Sequence, residues 1–288
     1  MRATKTPALP AMTNTAADTS PAAYLHRLDW RGVVPPQPDA ATLDALVLAH
    51  TAAIPFENLD PMRTRAVDIS PAGVFGKLVG ERRGGYCFEH SRLFADMLRA
   101  FGYTVRELAA RVVWNQPEGA ITPQQHMVLD VDTPDGARLV DVGFGGLTVT
   151  AALSWTPDAE QATPHGLNRL LLDGDEWRLQ ARIAGEWKPL YRLRRTPMHA
   201  CDYVAANYYL STHPESVFVN NLMLARAAPD KRWALFNREL AEHGADGRTV
   251  RTTLRDLPHL LQVMETGFRL QVRDQPDLAA RLGRLFEG

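Results

Sequence analysis

The chain has 288 residues, 45% of them hydrophobic, so it is longer than one average domain and has enough apolar residues to bury a core. Its 32 basic and 33 acidic residues leave a formal net charge of -1, which gives no support to a nucleic-acid or anionic-membrane partner. The two cysteines, Cys87 and Cys201, are too few for a disulfide scaffold and suit a reducing, cytoplasmic compartment. No apolar run approaches the ~20 residues of a membrane span. No heptad pattern stands out, so the oligomeric state stays open.

The N-terminal third of the chain predicts helices. Residues 1–21 are rich in Ala, Thr and Pro and lack the apolar core of a signal peptide, so we expect a flexible extension there. Helical segments follow over residues 22–102 and break at residues 34–36, which include two prolines. From Cys87 onward, apolar residues recur at three-and-four spacing and stop before Gly102, as expected of a helix with one buried face.

The middle of the chain predicts strands, and its end predicts a mixture of helix and strand. Residues 103–202 alternate short apolar runs with turn signals, as in a β-barrel-like domain. In the tail, apolar residues at helical spacing over 257–264 stop at Gly267, and residues 268–272 alternate like a strand. Residues 227–231 predict a hinge or an exposed loop before this tail.

Cys87 stands where a glycine-bearing loop turns into the predicted helix. In the first turn of a helix, unpaired backbone N–H groups and the positive end of the dipole favour a thiolate, and Arg82 and Arg83 add positive charge nearby. A buried and inert thiol is the commoner fate of a lone cysteine, so the motif alone leaves both interpretations open. We interpret Cys201 as structural.

A predicted hairpin downstream supplies a histidine and a carboxylate. Strands over residues 126–132 and 137–142 flank a Thr-Pro-Asp-Gly turn. Pairing across that turn places His126 and Asp141 on one face of the sheet as diagonal neighbours, roughly 7 Å or less apart at the bases of their side chains. With Cys87 they form a set in which the acid holds the imidazole tautomer and the imidazole takes the thiol proton.

Three other interpretations remain open on the residues alone. Cys87, His90 and His126 have the residue types of a zinc site, but no second cysteine is near, and we predict no metal. A cysteine hydrolase, such as a protease or transglutaminase, uses the same three residue types. A non-enzymatic binding protein on the same scaffold is the third, and the intact triad argues against it.

Several ordered motifs resemble the arylamine N-acetyltransferases. The similar segments are residues 54–60, 83–89, 126–129, 140–145 and 211–218. The resemblance extends from about residue 23 to about residue 240, and agreement of several motifs in order is far more specific than any one of them. In it, the catalytic triad of the family falls on Cys87, His126 and Asp141.

The resemblance implies an α+β fold with a three-domain architecture like that of cysteine proteases. An N-terminal helical bundle over residues 22–102 would carry the cysteine, and a central antiparallel β-barrel over 103–202 would carry the histidine and the aspartate. A connecting helical segment over 203–228 would lead to a C-terminal α/β lid over 229–288.

The resemblance also implies binding residues. The Gly143, Phe144 and Gly145 loop and Trp114 would line the coenzyme cleft, although a plain turn and a half-exposed strand aromatic are the alternatives on sequence alone. Side chains that would form the apolar acceptor pocket are Phe56, Phe144 and Phe218, each of which also fits an ordinary core position. We expect Glu57 and Asn58, beside Phe56, to be structural polar partners.

The implied reaction moves an acetyl group from acetyl-CoA, a substrate rather than a permanently bound cofactor, to an arylamine, arylhydrazine or hydrazide. Cys87 would carry the acetyl group as a thioester in a ping-pong sequence, with His126 as base, Asp141 orienting it, and backbone N–H groups around Cys87 as oxyanion donors. The alternative is an amide-forming acyltransferase of secondary metabolism with another acyl donor. Acceptor choice does not follow from sequence, since one pocket side chain changes discrimination by only ~1 to 3 kcal/mol.

Overall fold

The structure is a computed structural model that describes residues 20–244, 247–271 and 276–287. The fold is α+β, with a helical N-terminal part, an antiparallel barrel and an α/β C-terminal part, as the resemblance implies. Nearly all of the extension predicted over residues 1–21 lies outside the described residues. Within the described ranges, no helix has the length and apolar character needed to cross a bilayer.

Polar N-cap residues stabilise the starts of three N-terminal helices. Ser20, Asp39 and Ser70 each accept a backbone N–H with their side chain at a helix start. The elements are α1 (Pro21–Arg27), α2 (Ala40–Ala53), the short strand β1 (Phe56–Glu57), α3 (Leu59–Met62), α4 (Pro71–Phe75), a π-helical turn (Gly76–Gly80) and α5 (Cys87–Ala100).

Helix α5 begins at Cys87, as the sequence predicts. Its apolar side chains, including Phe88, Phe94 and Leu98, are fully buried in a core shared with α1, α2 and strands of the barrel. Each such side chain contributes about 1.5–3 kcal/mol by leaving water. The start of α5 is therefore held at a fixed place between the helical part and the barrel.

The residues after α5 form an antiparallel sheet that curls into a nearly closed barrel. Its strands are β2 (Val105–Val112), β3 (Gln124–Thr133), β4 (Gly136–Val140), β5 (Leu153–Ser154), β6 (Glu160–Thr163), β7 (Gly166–Asp173), β8 (Glu176–Ile183) and β9 (Glu186–Met198). Strand β3, which carries His126, pairs with β4 on one side and with β2 on the other. Leu108, Val128 and Leu179 are among the buried side chains that fill the barrel.

A second antiparallel sheet joins the helical N-terminal part to the C-terminal part. Phe56 in β1 pairs with Ala225 in β10, so the N-terminal part supplies an edge strand to the C-terminal sheet. The remaining elements are α6 (Tyr203–Thr212), α7 (Val217–Asn220), β10 (Met223–Ala228), β11 (Lys231–Phe236), β12 (Glu239–Gly244), β13 (Thr249–Thr253), α8 (Leu257–Thr266) and α9 (Pro276–Gly283).

Two local predictions for the C-terminal part are wrong, and a third holds in one of its two forms. The segment 203–228 is not helical throughout, because Met223–Ala228 is strand β10, paired on both sides. Residues 227–231 contain the tight turn between β10 and β11, in which Pro229 and Asp230 are exposed, so the exposed-loop alternative is confirmed and the hinge is not. Residues 268–271 are not a strand: Arg269 has φ +57°, which an extended strand does not allow. Val272, the last residue of that prediction, lies outside the described residues.

Candidate active site

Cys87 is the first residue of α5 and is 4% exposed. Tyr86 precedes it in extended conformation, so the backbone changes direction at the cysteine. The Sγ atom lies 3.8 Å from the backbone oxygen of Gln125, the residue before His126 on β3. The thiol therefore points from the helix start toward the strand that carries the histidine.

Asp141 and His126 are joined by a short hydrogen bond. The predicted register is the one in the structure, with Asp132 opposite Ala137 and Leu129 opposite Val140. Asp141 follows the last residue of β4, and its Oδ2 atom lies 2.8 Å from His126 Nε2. Both side chains are almost wholly buried. The β3–β4 pairing thus ends at Val140, and the side chain of the next residue, Asp141, reaches His126.

The surroundings of Asp141 leave it one orientation. Its Oδ1 atom accepts a hydrogen bond of 3.0 Å from the Gly143 N–H, while Oδ2 is used by His126. The Thr148 hydroxyl donates to the backbone oxygen of Asp141 at 2.9 Å. Because both carboxylate oxygens have donors, the aspartate stays an acceptor and holds His126 Nε2 as the protonated nitrogen.

The electrostatics of the site favour a charged histidine. Burial opposes the charge on His126, but the Asp141 carboxylate and the adjoining Cys87 side chain outweigh it and raise the pKa of His126 to about 10. Since Nε2 donates to Asp141, Nδ1 is the nitrogen left to face the thiol. A proton that leaves Cys87 is therefore well held by His126 at neutral pH.

The loop after Asp141 lies directly on the backbone of Cys87. A Cβ atom added to Gly143 would stand 2.8 Å from Cys87 Cα and 3.1 Å from Cys87 O, where no side chain fits. Two residues on, Gly145 has φ +90°, and its added Cβ would meet the Phe56 ring at 3.7 Å. These glycines allow one loop to contact the cysteine, the aspartate and Phe56.

Gly143→Ala tests this close approach. We expect the added methyl group to push the loop away from Cys87, to lower the free energy of unfolding by about 1–3 kcal/mol and to slow alkylation of Cys87 by iodoacetamide. Gly80→Ala is the matched control, because its Cβ would meet no atom within 4 Å. Equal stability and equal alkylation rates for the two variants would show that the contact carries no strain. Both quantities are read from denaturant unfolding and from peptide mass spectrometry.

Aromatic rings cover the histidine on the barrel side. Phe144 meets His126 edge-on at 5.4 Å between ring centroids, and Tyr191 lies 5.2 Å from His126. Burial and the nearby Asp141 carboxylate raise the pKa of the Tyr191 hydroxyl well above its usual value, so it stays protonated. Trp114 packs against the same barrel core. Its backbone N–H donates to the Leu190 carbonyl on the neighbouring strand at 3.1 Å.

Phe56 and Phe218 lie together on the helical side of the site, where they pack in the core of the N-terminal part. Their ring centroids are 6.2 Å apart, and Phe218 also meets Tyr86 edge-on at 5.6 Å. Phe218 is only partly buried, whereas Phe56 is 9% exposed. The residues expected to form the acceptor pocket are therefore divided: Phe144 stands on the barrel side, and Phe56 and Phe218 stand on the helical side.

Glu57 and Asn58 act as structural partners, as expected. The Asn58 amide donates to the backbone oxygens of Phe218 and Asn221 at 2.7 and 2.6 Å, and its own oxygen accepts from the Met223 N–H at 2.7 Å. Glu57 accepts from Arg83 at 2.8 Å. Asn58 thereby fixes the short helix that carries Phe218.

His90, Cys201 and Tyr191 lie outside the Cys87, His126 and Asp141 set. Both ring nitrogens of His90 contact protein groups, His50 Nε2 at 2.8 Å and Pro55 O at 3.2 Å. Across the described part of the chain, no three His, Cys, Asp or Glu side chains are grouped to hold a metal ion. Cys201 is exposed. Tyr191 carried no signal in the sequence beyond an apolar strand, so its place beside His126 was not predicted.

Comparison with known proteins supplies independent information. A family model described as N-acetyltransferase matches residues 39–277. The chain is 40% identical over 270 residues to the arylamine N-acetyltransferase of Mycolicibacterium smegmatis, covering 92% of this chain and 97% of that protein. It is 38% identical to that of Escherichia coli, covering 87% and 89% of the two chains. The solved structure of Mycobacterium marinum arylamine N-acetyltransferase in complex with CoA matches with a TM-score of 0.88 at 40% identity, over 92% of this chain and 99% of that one.

Proposed function

Because this chain belongs to the arylamine N-acetyltransferase family, we propose that it transfers an acetyl group from acetyl-CoA to the nitrogen of arylamines, arylhydrazines or hydrazides through a thioester on Cys87. One observation carries the proposal. Cys87 stands at a helix start beside His126, whose Nε2 lies 2.8 Å from a buried carboxylate of Asp141. That arrangement gives a thiolate nucleophile and a proton carrier in one place.

In the first half-reaction, the Cys87 proton moves to His126 Nδ1, and the thiolate attacks the carbonyl carbon of acetyl-CoA. A bond forms between Sγ and the acetyl carbon, and the bond from that carbon to the coenzyme sulfur breaks. The proton on His126 goes to the leaving coenzyme A thiolate. The raised pKa of His126 supports this role, because the imidazolium persists until a strong base, the leaving thiolate, takes its proton.

In the second half-reaction, the amine nitrogen attacks the acetyl carbon on Cys87. The carbon–sulfur bond of the thioester breaks, and the amine proton goes to His126, which regenerates the imidazolium and the thiolate. The free N–H groups of the first turn of α5, those of Cys87 and Phe88, are suited to stabilise the oxyanion, since the first four N–H groups of a helix have no partner inside it.

The binding roles follow the two sides of the site. We assign Trp114, Gly143, Phe144 and Gly145 to the coenzyme side, where loop and barrel meet, and the acceptor ring to the apolar pocket. Side chains that would line this acceptor pocket are Phe56, Phe144 and Phe218.

The domain boundaries implied by the resemblance fit this division of labour. Residues 22–102 would supply Cys87, residues 103–202 would supply His126 and Asp141, and residues 203–228 and 229–288 would form the connection and the lid. Both cysteines are free thiols, which suits a reducing compartment, and we propose the cytoplasm.

His126→Gln separates the contribution of the histidine from that of the helix terminus. We expect rapid alkylation of Cys87 near neutral pH to be lost, because the variant has no group to hold the thiol proton. The exposed Cys201 is an internal control, and its alkylation rate should not change. Unchanged alkylation of Cys87 would mean that the helix terminus alone generates the thiolate. Peptide mass spectrometry after timed iodoacetamide treatment measures both rates in one sample.

The reaction order is tested by steady-state kinetics with both substrates varied. Parallel lines in double-reciprocal plots, with acetylated arylamine as product, are the expected result for a ping-pong route. Intersecting lines would indicate direct transfer without an acyl-enzyme. Release of coenzyme A without an acetylated product would favour a cysteine hydrolase.

A further inference from the structure

A buried cluster of carboxylates and cations lies beneath the start of α5. We propose that Glu89, together with Lys77, is a positioning residue for Cys87, which fixes the junction between loop and helix while Glu89 is ionised and releases it when Glu89 takes up a proton. The inference rests on the proposed function, because it assigns a role in forming the reactive thiolate. Glu89 itself is 1% exposed.

Glu89 reaches the cysteine through the backbone. Its Oε2 atom accepts a hydrogen bond of 3.0 Å from the N–H of Tyr86, the residue before Cys87, and its Oε1 atom accepts from Lys77 Nζ at 2.7 Å. Side chains two positions apart on a helix do not face each other, so Glu89 does not touch the thiol. Its effect on Cys87 passes through the Tyr86 peptide.

The loop before Cys87 is closely packed at Gly84 and Gly85. A Cβ on Gly85 would lie 2.7 Å from Glu89 Oε2, and one on Gly84 would lie 2.0 Å from Pro55 O. The Gly85 carbonyl accepts from the Glu57 N–H at 2.9 Å. The loop is thus held by Pro55 and strand β1 on one side and by the Glu89 carboxylate on the other, and loss of the Glu89 contact frees the peptide directly before Cys87.

The charges of the cluster do not balance. Carboxylates of Glu57, Asp60 and Glu89 face two cations, Lys77 and Arg83, in the described part of the chain. Lys77 lies 2.7 Å from both Asp60 and Glu89, while Arg83 bonds Glu57 at 2.8 Å and Asp60 at 3.1 Å. A buried carboxylate without its own cation is costly, so the cluster retains a proton at higher pH than a free carboxyl does.

Glu89 is the group on which that proton resides. Burial raises its pKa to about 7, with Lys77 lowering it and Glu57 raising it further. The pKa of Asp60, in contrast, falls to about 2, because Lys77 and Arg83 outweigh its burial. Of the histidines near α5, His50 and His90 have their pKa values lowered by burial, that of His90 to about 4, and His126 has its pKa raised to about 10. None of these histidines titrates where Glu89 does.

A polar cavity adjoins the cluster. A cavity of about 250 Å³ is lined by Asp60, Lys77, Arg83 and Glu89. The other ionisable side chains around it are Arg65, Asp68 and Glu81. Lys77 itself lies in the π-helical turn of residues Gly76–Gly80, a rare geometry that is frequent at functional sites. The Glu89 carboxyl therefore borders a cavity lined by polar side chains, although it is itself buried.

The test follows the rate of Cys87 alkylation by iodoacetamide between pH 5.5 and 9 (about the range over which a group with a pKa near 7 titrates). In the natural chain we expect an acid limb with its midpoint near the Glu89 pKa. Glu89→Gln keeps the size and one acceptor oxygen but no charge, so alkylation at about pH 8 should fall about tenfold or more, and the limb should vanish. The KM for acetyl-CoA should stay unchanged.

Lys77 variants give a directional result. Lys77→Met should move the midpoint of the acid limb to higher pH, because the lysine cation lowers the Glu89 pKa. Lys77→Arg keeps a cation there and should leave that midpoint where it is in the natural chain. Glu107→Gln is the matched control. It breaks a buried ion pair of 2.9 Å between Glu107 in β2 and Arg92 in α5, and it should lower stability without moving the midpoint.

An unmoved midpoint in Lys77→Met, or a natural rate and limb in Glu89→Gln, would overturn the proposal. Should Glu89→Gln fail to fold, the Lys77 pair decides alone. Alkylation needs no acyl donor, so these results stand apart from the proposed function. Failure of that function would instead appear as the absence of acetyl-Cys87 in the natural chain.

Discussion

Cys87→Ala should abolish acetyl transfer, by about 10⁴-fold or more in turnover, and leave the fold intact. The variant removes the only atom that can carry the acetyl group in the proposed route. Alanine is a good residue for the first turn of a helix, and only one buried sulfur atom is lost, so we expect the free energy of unfolding to change by at most about 1 kcal/mol. Turnover with acetyl-CoA and an arylamine, and denaturant unfolding, are the two measurements.

Cys87→Ser and Cys201→Ala complete this experiment. A serine hydroxyl is far less acidic than a thiol and does not ionise beside a charged His126, so Cys87→Ser should be nearly as inactive as the alanine variant. Cys201 is exposed, and its Sγ atom lies 3.9 Å from Asp202 Oδ1, so Cys201→Ala should keep full turnover. Near-natural turnover in Cys87→Ala would remove the basis of the assignment, because no thioester could then be on the route.

Asp141→Asn should lower turnover by about 10³- to 10⁴-fold, as expected of a triad whose histidine is no longer held in the right tautomer. Asp141 accepts from His126 Nε2 and from the Gly143 N–H, and an amide nitrogen cannot accept either bond. The substitution also removes the charge that keeps the His126 pKa high, so burial would then lower that pKa and the imidazolium would be lost at neutral pH.

Asp130→Asn is the matched control for this prediction. Asp130 is equally buried on the same strand, β3, as His126, but its carboxylate accepts from Arg106, Arg195 and Trp155 rather than from the site. We expect Asp130→Asn to reduce stability and keep turnover. Similar losses of turnover in both variants would mean that Asp141 acts only by supporting the barrel. Steady-state turnover and thermal unfolding of the two variants distinguish these outcomes.

The sequence predicts the parts of this site that depend on local rules. The position of Cys87 at a helix start follows from apolar spacing, and the approach of His126 to Asp141 follows from the pairing of one hairpin. Both depend on residues close together in the chain. A Thr-Pro-Asp-Gly turn sets the register, and the period-two rule of strands then fixes the shared face.

The rest depends on contacts between distant residues. Gly143 lies on the Cys87 backbone, and Tyr191 lies beside His126, only because helix, loop and barrel pack together. Lys77 lies in a π-helical turn and pairs with Glu89 on α5, and no hydrophobic periodicity in the sequence predicts that turn. Such groups have no signature in a single sequence, since each of them alone fits an ordinary surface or core position.

The errors in the C-terminal part have a similar cause. Strand β10 contains Met, Leu, Arg and three alanines and has no β-branched residue, so its β-propensity is weak, and pairing with β1 and β11 decides its structure. Phe268 and Leu270 are both buried, which gives an alternating pattern, but the left-handed backbone at Arg269 between them is incompatible with a strand. Burial alternates there without an extended chain.

The central claim is that Cys87 carries the acetyl group, and mass spectrometry of the acyl-enzyme tests it most directly. The protein is mixed briefly with acetyl-CoA without amine, quenched in acid and digested, and a second sample is chased with 4-aminosalicylate. We expect one acetyl increment on the Cys87 peptide, none on the Cys201 peptide, and removal of the increment by the chase. An acetylated arylamine formed while Cys87 never carries acetyl would contradict it.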